Sequence, residues 1–151
     1  MHRLITTTLV LGLALLAVGC GKSDKLRTQG RLLKGGEPFV PNEGEYIQIT
    51  FVPMPEDGKP PDRHYYAGVN QETGEFVPDG PDKLGMPAGK YRVAVELMKN
   101  KKDLLQGKYD QIASPYIFDV DADTEEIVID LDAPPPPSPA SLYGTRAASG
   151  G

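Results

Sequence analysis

Cysteine occurs once in this 151-residue chain, at position 20, and that scarcity rules out an intramolecular disulfide and a multi-cysteine metal site. Histidine occurs twice. His2 stands at the extreme N-terminus, so a histidine-based triad would have to be assembled around His64 alone, and no Gly-x-Ser-x-Gly element accompanies it. Positive charge is also in short supply, with 16 Lys and Arg against 21 Asp and Glu and a formal net charge of −5. Such a chain offers no electrostatic footprint for nucleic acid, and no motif in it calls for a cofactor. Long uninterrupted apolar sequence is confined to one place, directly before the lone cysteine.

That segment opens on Met1-His2-Arg3, a short cationic start, and runs from Leu4 to Val18 without a charge. About 15 residues at ~1.5 Å each reach ~22 Å along a helix, short of the ~30 Å hydrocarbon layer, which is the pattern of a signal sequence and not of a permanent span. Leu16-Ala17-Val18-Gly19-Cys20 resembles the bacterial lipobox, in which a lipoprotein signal peptidase cuts before a cysteine carrying diacylglycerol. Gly19 and Cys20 fit the pattern, while Ala17 and Val18 stand where the family prefers Leu and then Ala or Ser. The resemblance implies a signal peptide over residues 1–19 and a lipidated, palmitate-bearing Cys20. The competing readings are a buried structural cysteine and a secretory signal cut at another small residue. Against both, Cys20 ends the apolar run, where thioether lipidation needs it, and a lone thiol elsewhere in an exported protein would be a liability. Two or three acyl chains, at ~0.8 kcal/mol per buried methylene, hold a membrane more firmly than one. Gly21 follows Cys20, where Asp would mark inner-membrane retention in the best-known sorting system, so an outer-membrane destination is favoured.

Removing residues 1–19 takes away Arg3, leaving 15 basic side chains against 21 acidic ones and a balance of −6. Membrane association is then expected from lipid and not from basic patches. Residues 20–25 form a tether of no more than ~18 Å at 3.3 to 3.6 Å per residue. At the other end, residues 133–151 begin with Ala133-Pro-Pro-Pro-Pro-Ser-Pro-Ala140 and continue in small residues, a stiff and then flexible tail without the periodicity of a packed element. Residues 26–132 are left for one domain with one core.

Within that span the hydrophobic period is two. Tyr46 to Val52 sets Ile47, Ile49 and Phe51 on one face and Gln48 and Thr50 on the other; Lys90 to Leu97 alternates Tyr91, Val93, Val95 and Leu97 with Arg92, Ala94 and Glu96; Ile127, Ile129 and Leu131 alternate with Val128 and Asp130. Shorter strands are expected over residues 27–33, 65–70, 75–77 and 116–120, with turn signals at Gly35-Gly36, Asp57-Gly58, Thr73-Gly74 and Pro87-Ala88-Gly89. Residues 97–106 read either as a helical turn or as a loop. One-sided strands must bury their apolar faces against a second sheet, so the expected fold is an all-β antiparallel sandwich of six or seven strands.

Four stretches, in order, resemble the carboxypeptidase regulatory-like, or transthyretin-like, domains of small bacterial lipoproteins. Gly30-Arg-Leu-Leu-Lys-Gly-Gly-Glu-Pro38 looks like their Gly-x-Val-x-x-x-Gly-x-Pro opening, and Ile49-Thr-Phe-Val-Pro53 like their second strand. Thr73-Gly-Glu-Phe76 looks like their Asp-x-x-Gly-x-Phe hairpin, and Gly85-Met-Pro-Ala-Gly-Lys-Tyr-Arg-Val93 like their Gly-Leu-Pro-Pro-Gly-x-Tyr-x-Val signature. Lys108-Tyr109 and Ser114-Pro115 continue the likeness. It implies a seven-stranded Greek-key sandwich and says little about function, because such sandwiches host unrelated roles. Glu72-Thr73 departs from the family's usual Asp pair ahead of Gly74.

Among candidate site residues, His64 reads as a solvated ring at a strand start, with Arg63-His64-Tyr65-Tyr66 as a small recognition patch. Asp119, Asp121 and Asp123 invite a calcium reading, but an EF-hand loop would need Gly at Thr124 and a bidentate Glu at Asp130; the alternative is a polar hairpin tip. Two function classes stand. One is a non-catalytic binding or scaffolding module, lipid-anchored in the cell envelope, with an envelope protein or a polysaccharide as partner. The other is a periplasmic transthyretin-like hydrolase or an accessory subunit of an envelope enzyme; the hydrolase lineage ends in a Tyr-Arg-Gly-Ser type sequence, of which Tyr143-Gly-Thr-Arg146 is only an echo. The lipid assignment is checked with labelled palmitate: Cys20→Ser is expected to abolish label and leave a precursor, and a labelled, membrane-bound Cys20→Ser protein would refute it.

Overall fold

The computed structural model describes residues 25–134. Cys20, the expected signal peptide and all but the first two residues of the expected tail lie outside the described residues. The described chain forms eleven strands and no helix: β1 Lys25–Leu26, β2 Gln29–Lys34, β3 Glu37–Pro38, β4 Tyr46–Pro53, β5 Tyr65–Gly68, β6 Glu75–Phe76, β7 Met86–Pro87, β8 Gly89–Lys99, β9 Lys102–Asp103, β10 Ile117–Val120 and β11 Glu126–Asp130. The period-two segments become the long strands because alternate residues point to opposite faces of a pleat.

One sheet runs β10-β8-β4-β5, with β9 also on β8, and every pair in it is antiparallel. A second sheet runs β11-β2-β3, with β6 also on β2. A third consists only of β1 against β7. The first two sheets face each other across a shared core. Phe51 of β4 meets Phe76 of β6 at 6.1 Å between ring centroids and Tyr91 of β8 at 6.2 Å, with Leu32, Ile49, Val93, Val95, Ile127 and Ile129 fully buried around them. Bridges at Val69–Phe76 and Tyr66–Asp79 carry the chain from β5 across to the second sheet.

Two glycines of the resemblance motifs are fixed by close approach. A Cβ on Gly30 would stand 2.3 Å from the Phe76 ring and 2.8 Å from the Ile127 carbonyl, so β2 can lie between β6 and β11 only as glycine. Gly85 has φ +95°, and a Cβ there would stand 2.1 Å from the Leu26 carbonyl. The turn before β6, which contains Glu72-Thr73, is held by Asn70: its side-chain oxygen accepts the amides of Glu72 (2.8 Å) and Thr73 (3.3 Å), while Gly74 takes φ +72°.

Several expectations are corrected. The sandwich is not wholly antiparallel, since β11 pairs with β2 in parallel over Glu126–Gln29 to Asp130–Leu33. The physical reason is that β10 and β11, neighbours in sequence, join different sheets. Their turn is therefore an arch between layers and not a hairpin tip. The described strands number eleven in three sheets, because two-residue ladders form at Lys25–Leu26, Glu37–Pro38, Met86–Pro87 and Lys102–Asp103. Residues 97–106 hold the end of β8 and a β8–β9 hairpin; Asn100 and Lys101, at φ +50° and +64°, have the paired positive φ of a tight two-residue turn. The outer face of β4 and β8 is not open to water at its centre either, as Thr50 and Ala94, opposite each other in register, are 0% and 1% exposed. These short side chains sit sunk between longer neighbours on the pleat.

Gly30 and Gly68 both lie in strands, but a Cβ on Gly68 meets nothing within 4 Å. Gly30→Ala is therefore expected to lower stability by about 1–3 kcal/mol through overpacking, and Gly68→Ala to change it by less than ~0.5 kcal/mol. Urea unfolding of the two variants checks this; equal midpoints would show that β2 is not wedged against Phe76.

Candidate functional site

The segment from Leu104 to Tyr116 has no strand of its own, yet it is bound to β8 along its length. Leu104 N–H donates to Leu97 O (2.7 Å), while Val95 and Val93 donate to Tyr109 O and Tyr116 O, each at 2.9 Å. Two carboxylates organise its turns. Asp103 accepts the amides of Leu97 (3.1 Å), Leu105 (3.0 Å) and Gly107 (2.8 Å). Asp110 accepts those of Ile112 (2.8 Å) and Ala113 (2.6 Å), and the amides, Ala113 first, hold its carboxyl below the usual Asp range. The motif residues fall into the same frame. Ser114 is buried with its hydroxyl donating to Val93 O, and Lys108 lies 4.7 Å from the Tyr109 ring centroid.

Tyr109 and Tyr116 run from this segment into the core, 5.6 Å apart between ring centroids. Their hydroxyls emerge at the end of β11, Tyr109 donating to Leu131 O and Tyr116 to Asp130 O, both at 2.6 Å. Asp130 in turn accepts the Gly35 and Gly36 amides at 2.8 Å each, tying the β2–β3 turn to the same point. Its carboxyl is lowered chiefly by the Asp132 amide, with Gly35 and Gly36 adding to the effect.

The frame exposes Leu104 in part and holds Ile112 far out in water. Ile112 is 84% exposed, yet its own amide is bound by Asp110 and its carbonyl accepts Arg92 Nη1–H at 2.6 Å. An exposed isoleucine on a frayed loop carries no message. One whose backbone is bonded on both sides has little conformational freedom left to lose on being covered. Sequence reading missed Ile112, Asp103 and Asp110. The available signal was local: Asp followed two and three residues on by backbone donors is an Asx turn, here Asp110 with Ile112 and Ala113.

The residues singled out from sequence are dispersed. His64 is half-buried and immediately precedes β5. The four-residue patch around it is divided by strand alternation: Tyr66 is 51% exposed, whereas Tyr65 is buried, with its ring edge-on to Tyr91 at 6.0 Å. Arg63, Lys59, Pro60 and Pro61 line an open recess of about 460 Å³ beside it. Asp119 is exposed on β10. Asp121 turns inward on its own arch, accepting the Thr124 hydroxyl (2.8 Å) and the Asp123 amide (3.0 Å), while the Asp121 amide donates back to Thr124 Oγ1 (3.0 Å). Among the described residues no group of three or more His, Cys, Asp and Glu side chains is placed to hold a metal ion, and no helix is long and apolar enough to cross a membrane. In comparisons with known proteins, no family model, no curated protein and no solved structure matches the chain.

Burial, followed by the neighbouring Tyr109, pushes the Tyr116 phenol up to about 12, and burial with Tyr65 does the same for Tyr91, whose hydroxyl donates to Pro87 O at 2.7 Å. Both values exceed the ordinary 10, so their stabilisation is whole below pH 10 and is lost as pH rises toward 12. Phenolate absorbance is expected to show Tyr91 and Tyr116 ionising only well above pH 10, together with alkaline unfolding. Tyr116→Phe is expected to cost about 1 kcal/mol at neutral pH and to flatten the fall in stability above pH 10. An unchanged alkaline limb would refute the Tyr116–Asp130 lock.

Proposed function

We propose that this protein is a lipid-anchored binding or scaffolding module of the bacterial cell envelope, without catalytic activity, built on a transthyretin-like, carboxypeptidase regulatory-like sandwich and attached through Cys20. Residues from separate resemblance motifs support the fold assignment by meeting in space: Gly30 opposes Phe76, and the Phe51 ring packs edge-on against Tyr91. The lipobox-like Ala-Val-Gly-Cys ending supports the anchor, and Gly21 favours the outer membrane.

The observation that carries the binding role is the fixed presentation of Ile112. Polar groups that might have served chemistry in this segment, the carboxylates of Asp103 and Asp110 and the hydroxyls of Tyr109, Ser114 and Tyr116, are engaged with backbone. Their joint effect is to hold a surface in shape, which is what recognition by a preorganised contact requires. The partner is an envelope protein or a polysaccharide.

Site-specific photo-crosslinking in envelope membranes tests this. A crosslinking residue at position 112 is expected to capture a discrete partner that a crosslinker at exposed Gln71 does not. Ile112→Asp is expected to weaken retention of that partner at least tenfold with stability changed by less than ~0.5 kcal/mol, as suits an exposed side chain. Identical capture from both positions, or full retention by Ile112→Asp, would remove the basis for the reading.

A further inference from the structure

The described chain begins in a fixed place. β1 is laddered to β7 through Lys25–Pro87 and Leu26–Met86, Lys25 pairs with the Asp82 carboxylate, and fully buried Met86 anchors the ladder. Gly85 permits the approach, since any side chain there would strike the Leu26 carbonyl. The same end of the domain carries the start of β8 at Gly89, the end of β10 at Val120 opposite it, the 121–125 arch, and the end of β4 at Pro53, which leads into the 54–64 loop. From there β2, β8 and β11 all run away. Their far ends reach the Gly35-Gly36 turn, the Asn100-Lys101 turn and Ala133-Pro134.

We propose that the domain stands on its membrane by the end bearing the 54–64 loop, β7 and the 121–125 arch, with lipid headgroups as the partner of that end. The opposite end, with the first residues of the proline-rich segment, points into the compartment. This rests on reading Cys20 as the lipid anchor. From Cys20 to Lys25 the chain spans at most ~18 Å, whereas the eleven residues of β8 alone extend about 36 Å. The near end is therefore confined to the headgroup zone while the far end is held off, and a partner in the compartment meets the far end and the flanks first.

The test uses the full lipidated protein in phosphatidylcholine vesicles containing acceptor-labelled phosphatidylethanolamine. The Cys20 thiol is consumed by lipid, so a donor dye can be placed on single cysteines introduced at exposed positions: Glu56→Cys and Asp123→Cys at the near end, Glu43→Cys and Lys102→Cys at the far end. Energy transfer to the headgroups is expected to be several-fold stronger from positions 56 and 123 than from 43 and 102. Equal transfer from vesicle-bound protein, as for a domain lying on its side, would overturn the orientation and leave the anchor intact. Failure of the labelled protein to sediment with vesicles would overturn the anchor reading and the orientation with it.

Discussion

The parallel pairing of β2 with β11 closes the domain, because it seats the first long strand beside the last and joins side chains 95 positions apart. Arg31 and Glu126 mark it with a bidentate ion pair at 2.6 and 2.7 Å. That pair is exposed and contributes little by itself. The ladder beneath it is what matters, since it sets Ile127 and Ile129 against Leu32 in the core, and Gly30 must be bare for Phe76 to pack there. A closure of this length rewards the chain only after most of it is ordered, which places the domain among the slow-folding β topologies.

Closing the second sheet in this way leaves a seam, because β10 and β11 follow each other in sequence but lie in different layers. Tyr109 and Tyr116 span it. Their rings fill core volume beside β8, and their hydroxyls meet the Asp130 and Leu131 carbonyls where the β11 ladder runs out. Buried carbonyls at a strand end need partners, and a phenol supplies one while keeping its apolar body in the core. The 104–116 segment is thus tied twice, to β8 by its backbone and to β11 by its tyrosines. Ile112 sits between these ties, its carbonyl bonded to Arg92 of β8 and its amide to Asp110.

The long strands were legible because burial on one face writes a period of two into the sequence, and Ile47-Ile49-Phe51 and Tyr91-Val93-Val95-Leu97 occupy the faces that alternation assigns them. Layer assignment was not legible. A five-residue Asp- and Thr-bearing turn between two strands serves a hairpin or an arch equally well, and only the packing of Val120 and Ile127 decides between them. The β8–β9 hairpin escaped notice for a different reason: its turn is Asn100-Lys101, and without the usual glycine the stretch reads as helix or loop. Of the candidate site, Cys20 lies outside the described residues. Ile112 could not be seen at all, because one apolar residue in a polar loop has no period to betray whether it is buried or displayed.

The acidic balance of the chain takes on a local meaning in this frame. Asp103, Asp110, Asp121 and Asp130 each accept backbone amides across a turn, so a good part of the negative charge does conformational service. A carboxylate that receives two or three amide protons is stabilised as the anion, as the lowered carboxyls of Asp110 and Asp130 illustrate, and it is correspondingly a poor proton carrier near neutrality. Its lone pairs are also directed at the chain and not at a shared cation. Of the three aspartates that suggest calcium in the sequence, only Asp121 is used in this way, accepting the Asp123 amide and the Thr124 hydroxyl on its own arch, while Asp119 stands exposed on β10. An isoleucine shown to solvent from a loop bonded in this way is the feature on which the proposed binding role rests, since shape and released water are what such a contact would offer a partner.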